Sequence, residues 1–182
     1  MENASTKQRQ HILRRLDESL NVLEKSFAGL TEKDWEKKPA PERWSVAEIV
    51  HHLILVEVQR LQWLKDLLAG RRESAPPRAE PIPDIASYRR KEQRTQAKDD
   101  MLPTTGIPPK VLLPGFRRGR TETRTFASEV DLTKLQEVWL MTKSFGALNG
   151  AEYLEFLAAH TERHADQIQE VRKQVSGSGQ VQ

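Results

Sequence analysis

Apolar residues recur at spacings of three and four over three stretches of the chain, the signature of helices with one buried face. Leu13, Leu16, Leu20, Leu23 and Phe27 mark the first helix, which Ser5 or Thr6 can cap and which runs to about Ala28 before Gly29 ends it. His11 lies opposite that stripe. Thr31 opens a short turn through Trp35, and Pro39 and Pro41 impose an extended link. Ser45 and Glu48 then form an S-x-x-E capping box for a second helix reaching about Ala69, with Gly70 as its stop. Its stripe is Val46, Ile49, Val50, Leu53, Val56, Leu64 and Leu67.

The last helix is expected over Asn149 to Lys173, with Asn149 and Glu152 capping reciprocally and Gly150 harmless at a helix start. Tyr153, Phe156, Leu157, His160, His164, Gln167, Ile168 and Val171 fall on one face, and Glu155, Glu162, Asp166 and Lys173 lie away from it or at its edge. Between the second and last helices the periodicity weakens. Gly70 to Pro83 reads as a loop, and Ile85 to Lys98 as a charged helix. Asp99 to Thr125, rich in proline and glycine, reads as a long irregular excursion anchored by the run VLLPGF. Asp131 caps a helix of about three turns through Leu132, Leu135, Val138 and Trp139, although Val138 to Leu140 is short enough to be helix or strand. The expected architecture is an all-α bundle in one domain, residues 1–175, followed by a flexible tail at 176–182.

Two features of the last helix turn this outline toward chemistry. His160 and His164 stand one turn apart in the middle of the buried stripe. Imidazoles at i and i+4 can aim at one point and give a divalent metal two ligands at about 2.0 to 2.1 Å. Two buried neighbours would otherwise need two separate acceptors. A catalytic metal needs a third protein ligand. On the second helix His51 points away from the stripe, whereas His52 sits at its edge beside Ile49 and Val56, so His52 is the third candidate. Glu57 and Arg60 also face inward, as a buried pair, as groups orienting a histidine, or as the wall of a substrate pocket. Gln167, on the same face as the pair, is a further candidate for holding a histidine in place.

Composition narrows the field. The 182 residues contain no cysteine, which excludes disulfides, thiolate metal sites and a cysteine nucleophile. Any metal must therefore use histidine, carboxylate or water. The formal charge of +3, with 29 basic against 26 acidic residues, does not indicate a nucleic-acid partner, and the basic clusters lack interleaved aromatic residues. No stretch is apolar enough to span a membrane, and the polar start MENASTKQRQ lacks a signal core, so a cytoplasmic location is expected.

The run P-E-R-W-S-V-A-E-I-V-H-H-L, Pro41 to Leu53, and the run F-G-A-L-N-G-A-E-Y-L-E-F-L-A-A-H-T-E-R-H-A-D-Q-I, Phe145 to Ile168, resemble the DinB superfamily, in particular its YfiT-like branch. The resemblance implies a four-helix bundle of up-down-down-up type. It also implies a divalent metal held by one histidine of the second helix and an H-x-x-x-H pair of the last, which by motif are His52, His160 and His164. It further implies transfer of a low-molecular-weight thiol such as bacillithiol or mycothiol to an electrophile, or a metal-dependent hydrolase activity.

The expectation is thus a metal-dependent enzyme with zinc or nickel at the three histidines, activating a thiol cosubstrate or water against a small-molecule substrate. The alternative is a helical binding module whose histidines only rigidify the bundle. A homodimer fits either reading.

Overall fold

The computed structural model describes residues 3–81, 84–90 and 99–177. Its four long helices are α1 (Ala4–Ser26), α3 (Val46–Leu68), α4 (Pro109–Glu129) and α6 (Gly150–Gly177). Two short helices, α2 (Glu32–Glu36) and α5 (Leu132–Glu137), and an antiparallel hairpin of β1 (Trp139–Thr142) and β2 (Gly146–Asn149) join them. The caps are those expected for α3 and α6. Ser45 N–H donates to Glu48 Oε2 at 2.8 Å while Glu48 N–H returns to Ser45 Oγ at 3.3 Å, and Asn149 and Glu152 exchange two bonds of 3.0 Å each. The α1 cap is Asn3, whose Oδ1 accepts from Thr6 N–H at 2.7 Å.

Helix directions follow from which residues share a core. One cluster joins Leu23 and Phe27 at the end of α1, Val46 and Ile49 at the start of α3, Leu112 and Phe116 at the start of α4, and Ile168 and Val171 late in α6. The other joins Ile12 and Leu16 early in α1, Leu64 and Leu67 at the end of α3, Ala127 at the end of α4, and Leu154 at the start of α6. The bundle therefore runs up-down-down-up, with α1 packed on α4 and α6, and α3 packed on the same two helices.

Because α3 and α4 are parallel neighbours, the chain must travel back along the bundle before α4 can begin. The 23 residues of α3 measure about 34 Å at about 1.5 Å per residue. Residues 69–108 make this return, and within them a 3₁₀ turn at Ile85–Arg90 packs on α6 and another at Asp99–Met101 packs on α3. The crossover thus lies against the two helices that carry the histidines.

Several expectations give way to the structure. The irregular excursion stops at Pro108, and the segment Asp99 to Thr125 contains most of α4. Pro109 sits in its first turn, where no intrahelical N–H is needed. Gly115 and Gly119, which read as breakers, are one turn apart and face α3. A Cβ on Gly115 would lie 3.3 Å from Ile54 Cδ1, and one on Gly119 would lie 3.4 Å from Glu57 Cγ. Close packing, not a turn, is their use. The expected helix at Ile85 to Lys98 is a 3₁₀ turn ending at Arg90, and residues 91–98 lie outside the described residues. The helix through Trp139 ends at Glu137, and Trp139 to Thr142 pairs as a strand with Gly146 to Asn149. The last helix continues to Gly177, so residues 176 and 177 of the expected tail are helical, while residues 178–182 lie outside the described residues. On α1 the buried set is Ile12, Leu16, Ser19, Leu23 and Ser26, with Leu13 and Leu20 only half-buried. Ser19 turns inward because the centre of the bundle is polar, whereas the hydroxyl of Ser26 donates to Leu23 O of its own helix at 2.6 Å.

That centre is Arg120, 1% exposed. Its Nε and Nη2 donate to the two oxygens of Glu57 at 2.9 and 3.1 Å, Nη1 donates to Leu16 O at 3.0 Å and Ser19 Oγ at 2.6 Å, and Nη2 also donates to Thr161 Oγ1 at 2.8 Å. One guanidinium from α4 thereby ties α1, α3 and α6 together.

Replacing one partner of a fully buried pair strands the other charge and costs about 3–5 kcal/mol. Arg120→Met is expected to destabilise the protein by that amount in urea unfolding; a change below about 1 kcal/mol would contradict the role given to Arg120. At Gly150 a Cβ would come 2.5 Å from Leu135 Cδ1 and 2.7 Å from Leu135 O. Gly150→Ala, innocuous on capping grounds, is therefore expected to cost about 1–3 kcal/mol by overpacking against α5.

Candidate metal centre

The Ser45–Glu48 capping box fixes where α3 starts, and seven residues later His52 faces α6. His160 and His164 face it from α6. One ring nitrogen of each histidine lies within 4.8 Å of those of the other two, an arrangement that could hold a metal ion. The Nε2 atoms of His160 and His164 are 3.3 Å apart. Ligands at about 2.0–2.1 Å in tetrahedral array stand about 3.3–3.4 Å from one another, so this pair already has the spacing of a tetrahedral edge.

Two of the outer nitrogens are committed. A carbonyl only accepts, so His52 Nδ1–H donates to Met101 O at 2.8 Å, and His164 Nδ1–H donates to Gln167 Oε1 at 2.8 Å. Both rings are thereby held with the lone pair on Nε2, which leaves that nitrogen to bind a metal. Burial is the main influence on all three side chains. It lowers the His52 pKa, with the Met101 carbonyl opposing and the charges of Arg60 and His51 assisting. It puts His160 well below the ordinary range, reinforced by His164 and His52, and takes His164 down to about 3, with His52 assisting and Gln167 opposing. At neutral pH the three imidazoles are uncharged and available as donors.

The histidines line a cavity of about 580 Å³, a volume in the range of small-molecule sites. Trp44 covers one side, its ring 4.9 Å from that of His52 and 6.5 Å from that of His164. Tyr88, from the crossover, lies parallel to His160 at 6.1 Å and meets Phe156 edge-on at 5.0 Å. Leu102 and Met141, about half or more exposed, stand at the rim.

The sequence candidates divide. His52, His160, His164 and Gln167 are brought together. Glu57 is not part of this group: it faces the bundle centre and pairs with Arg120, and of the roles open to it neither orienting a histidine nor walling the pocket applies. Nor does it pair with Arg60, which lines the cavity with its guanidinium 3.8 Å from the centroid of Trp63. His51 points out of the trio and accepts from Thr104 N–H at 2.9 Å. Met101, Tyr88 and Trp44 were not among the candidates. Met101 sits in the stretch read as an irregular excursion, and Tyr88 in one read as a charged helix, so neither was marked as facing the site. Trp44 stood in plain view, directly before the α3 cap.

Fold and site together define a helical bundle of up-down-down-up topology with a three-histidine group opening on a pocket. The chain belongs to the DinB superfamily, whose sequence model matches residues 15–168. Among solved structures it is similar to YfiT from Bacillus subtilis, described as a probable metal-dependent hydrolase with an unusual four-helix bundle topology. The TM-score is 0.63 at 16% identity, covering 97% of this chain and 92% of that one, so the likeness speaks for the fold. None of the curated proteins matches the sequence. No helix among the described residues is long and apolar enough to cross a membrane.

In the metal-free protein at pH 7, long-range ¹H–¹⁵N spectra are expected to show His52 and His164 as neutral Nδ1–H tautomers. A neutral Nε2–H tautomer at either position would contradict the hydrogen bonds assigned here, and an imidazolium would contradict the effect given to burial.

Proposed function

We propose that this protein is a metal-dependent enzyme in which His52, His160 and His164 hold a divalent ion, zinc or nickel, and leave a position open toward the cavity. The observation that carries the reading is the convergence of three neutral imidazoles, two of them oriented by hydrogen bonds, on the wall of a pocket. A purely structural metal site is closed on all sides by protein ligands; these three histidines border open space instead, which favours an enzyme over a module that the metal merely stiffens.

When bound, the metal would lower the pKa of a thiol or a water and present it as a nucleophile at neutral pH. The chain's own residues do the rest. Met101 O and Gln167 Oε1 fix two rings. Trp44, Tyr88 and Phe156 exclude bulk water from one side of the trio and offer an apolar bed for the substrate. With a thiol as cosubstrate, a sulfur–carbon bond forms at an electrophilic carbon as the leaving group departs; with water the same site hydrolyses its substrate.

Protein purified without a histidine tag is expected to carry close to one equivalent of divalent metal by elemental analysis, and His160→Ala to lose it together with turnover. Full metal content in that variant would sink the assignment. Gln167→Ala should keep the fold but weaken metal affinity about 10- to 100-fold in chelator competition, the usual effect of removing a partner that orients a ligand. A screen of thiols against aryl halide electrophiles separates the two chemistries, since only the transferase couples loss of the electrophile to consumption of thiol.

A further inference from the structure

The cavity has a second pole. Along α3 its lining residues are His52, Val56, Arg60 and Trp63, and along α6 they include His160, Phe156 and Tyr153. Arg60 lies eight residues beyond His52, about 12 Å along the helix axis at about 1.5 Å per residue. Tyr153 lies seven residues before His160, and the two helices run antiparallel here, so both meet at the same end of the groove. Between the poles the walls are Val56 and the ring of Phe156.

The chemistry of that far end is specific. Arg60 stacks its face on Trp63, whose ring also receives Arg72 at 3.9 Å. Stacking occupies the plane of a guanidinium and leaves the N–H groups of its edge free to grip a planar oxyanion with two bonds. The inward carboxylate of the same helix, Glu57, is consumed by Arg120, and among the described residues no carboxylate pairs with Arg60. Tyr153, 3% exposed, has its phenol pushed up to about 12 by burial, so it stays a donor across the physiological range. Lys143 also lines the cavity, and so does Arg43, which is paired with Glu170 at 3.9 Å; Glu42 is the carboxylate in the lining.

We propose that Arg60, assisted by Tyr153, is the anion anchor of an extended ligand that spans the groove between Arg60 and His52, whose reacting end lies at the three histidines, whose middle is apolar and whose far end is a carboxylate. This assignment rests on the metal-dependent reading for the reacting end, while the anchor itself is independent of the metal. The ligand class is a linear, carboxylate-terminated thiol or a substrate of that shape.

The probes are 8-mercaptooctanoate and 8-mercaptooctanamide, equal in length and differing only in the charged end, titrated into zinc-loaded protein with tryptophan fluorescence as the readout, because Trp44 and Trp63 both line the cavity. The native chain is expected to bind the carboxylate about tenfold or more tighter than the amide, the gain typical of charge-assisted hydrogen bonds. Arg60→Met should bring the two probes to parity with zinc content and amide affinity unchanged. Arg60→Lys should keep part of the preference, and Tyr153→Phe should reduce it. Equal affinities in the native chain, or an undiminished preference in Arg60→Met, would overturn the proposal. If the native chain holds no zinc, the metal-dependent reading fails separately, and the same pair of titrations on metal-free protein still decides the anchor: a carboxylate preference lost in Arg60→Met upholds it, and none overturns it.

Discussion

A single buried guanidinium sets the geometry of this bundle. Arg120 enters from α4 and spends its donors on Glu57 of α3, Leu16 and Ser19 of α1 and Thr161 of α6. Removing a charge from water is costly unless every donor finds an acceptor, so a register of the four helices that leaves Arg120 unpaired is penalised. Glu57 is five residues from His52, and Thr161 adjoins His160. The rotation and height that satisfy the ion pair are therefore the ones that bring the three imidazoles together on the neighbouring face.

Topology contributes the other half of the site. Parallel α3 and α4 oblige the chain to retrace the bundle, and the returning segment lies on α6 and α3. From it come Tyr88, set over His160, and the Met101 carbonyl that fixes the tautomer of His52. A bundle of alternating up and down helices, joined by short loops, would have no chain there to provide them. The crossover is thus a connection and a wall at once.

Much of this was legible from residue order. The helices α3 and α6 announce themselves by apolar spacing and by reciprocal caps at Ser45–Glu48 and Asn149–Glu152, and the helical wheel alone set His52, His160 and His164 on inward faces. What escaped has a common cause, which is that its purpose lies in another helix. Gly115 and Gly119 read as breakers because their value is the close approach of α3. Ser19 and Ser26 interrupt an apolar stripe, and Ser19 makes sense only once Arg120 is seen reaching it. Glu57 and Arg60, adjacent on one face, left a pair, a support for a histidine and a pocket wall open; the first is drawn to the bundle centre and the second to the pocket wall. Met101 acts through a backbone carbonyl, to which side-chain patterns are blind.

The central claim is that three imidazoles hold a divalent ion with one position left for an exchangeable ligand. X-ray absorption spectroscopy on the zinc-loaded native chain addresses it directly, before and after addition of a small thiol. The account predicts three imidazole nitrogens and one further light atom at about 2.0–2.1 Å, with a sulfur shell at about 2.3 Å appearing when the thiol is added. Fewer than three imidazoles, or a first shell that ignores the thiol while turnover consumes it, would contradict the account.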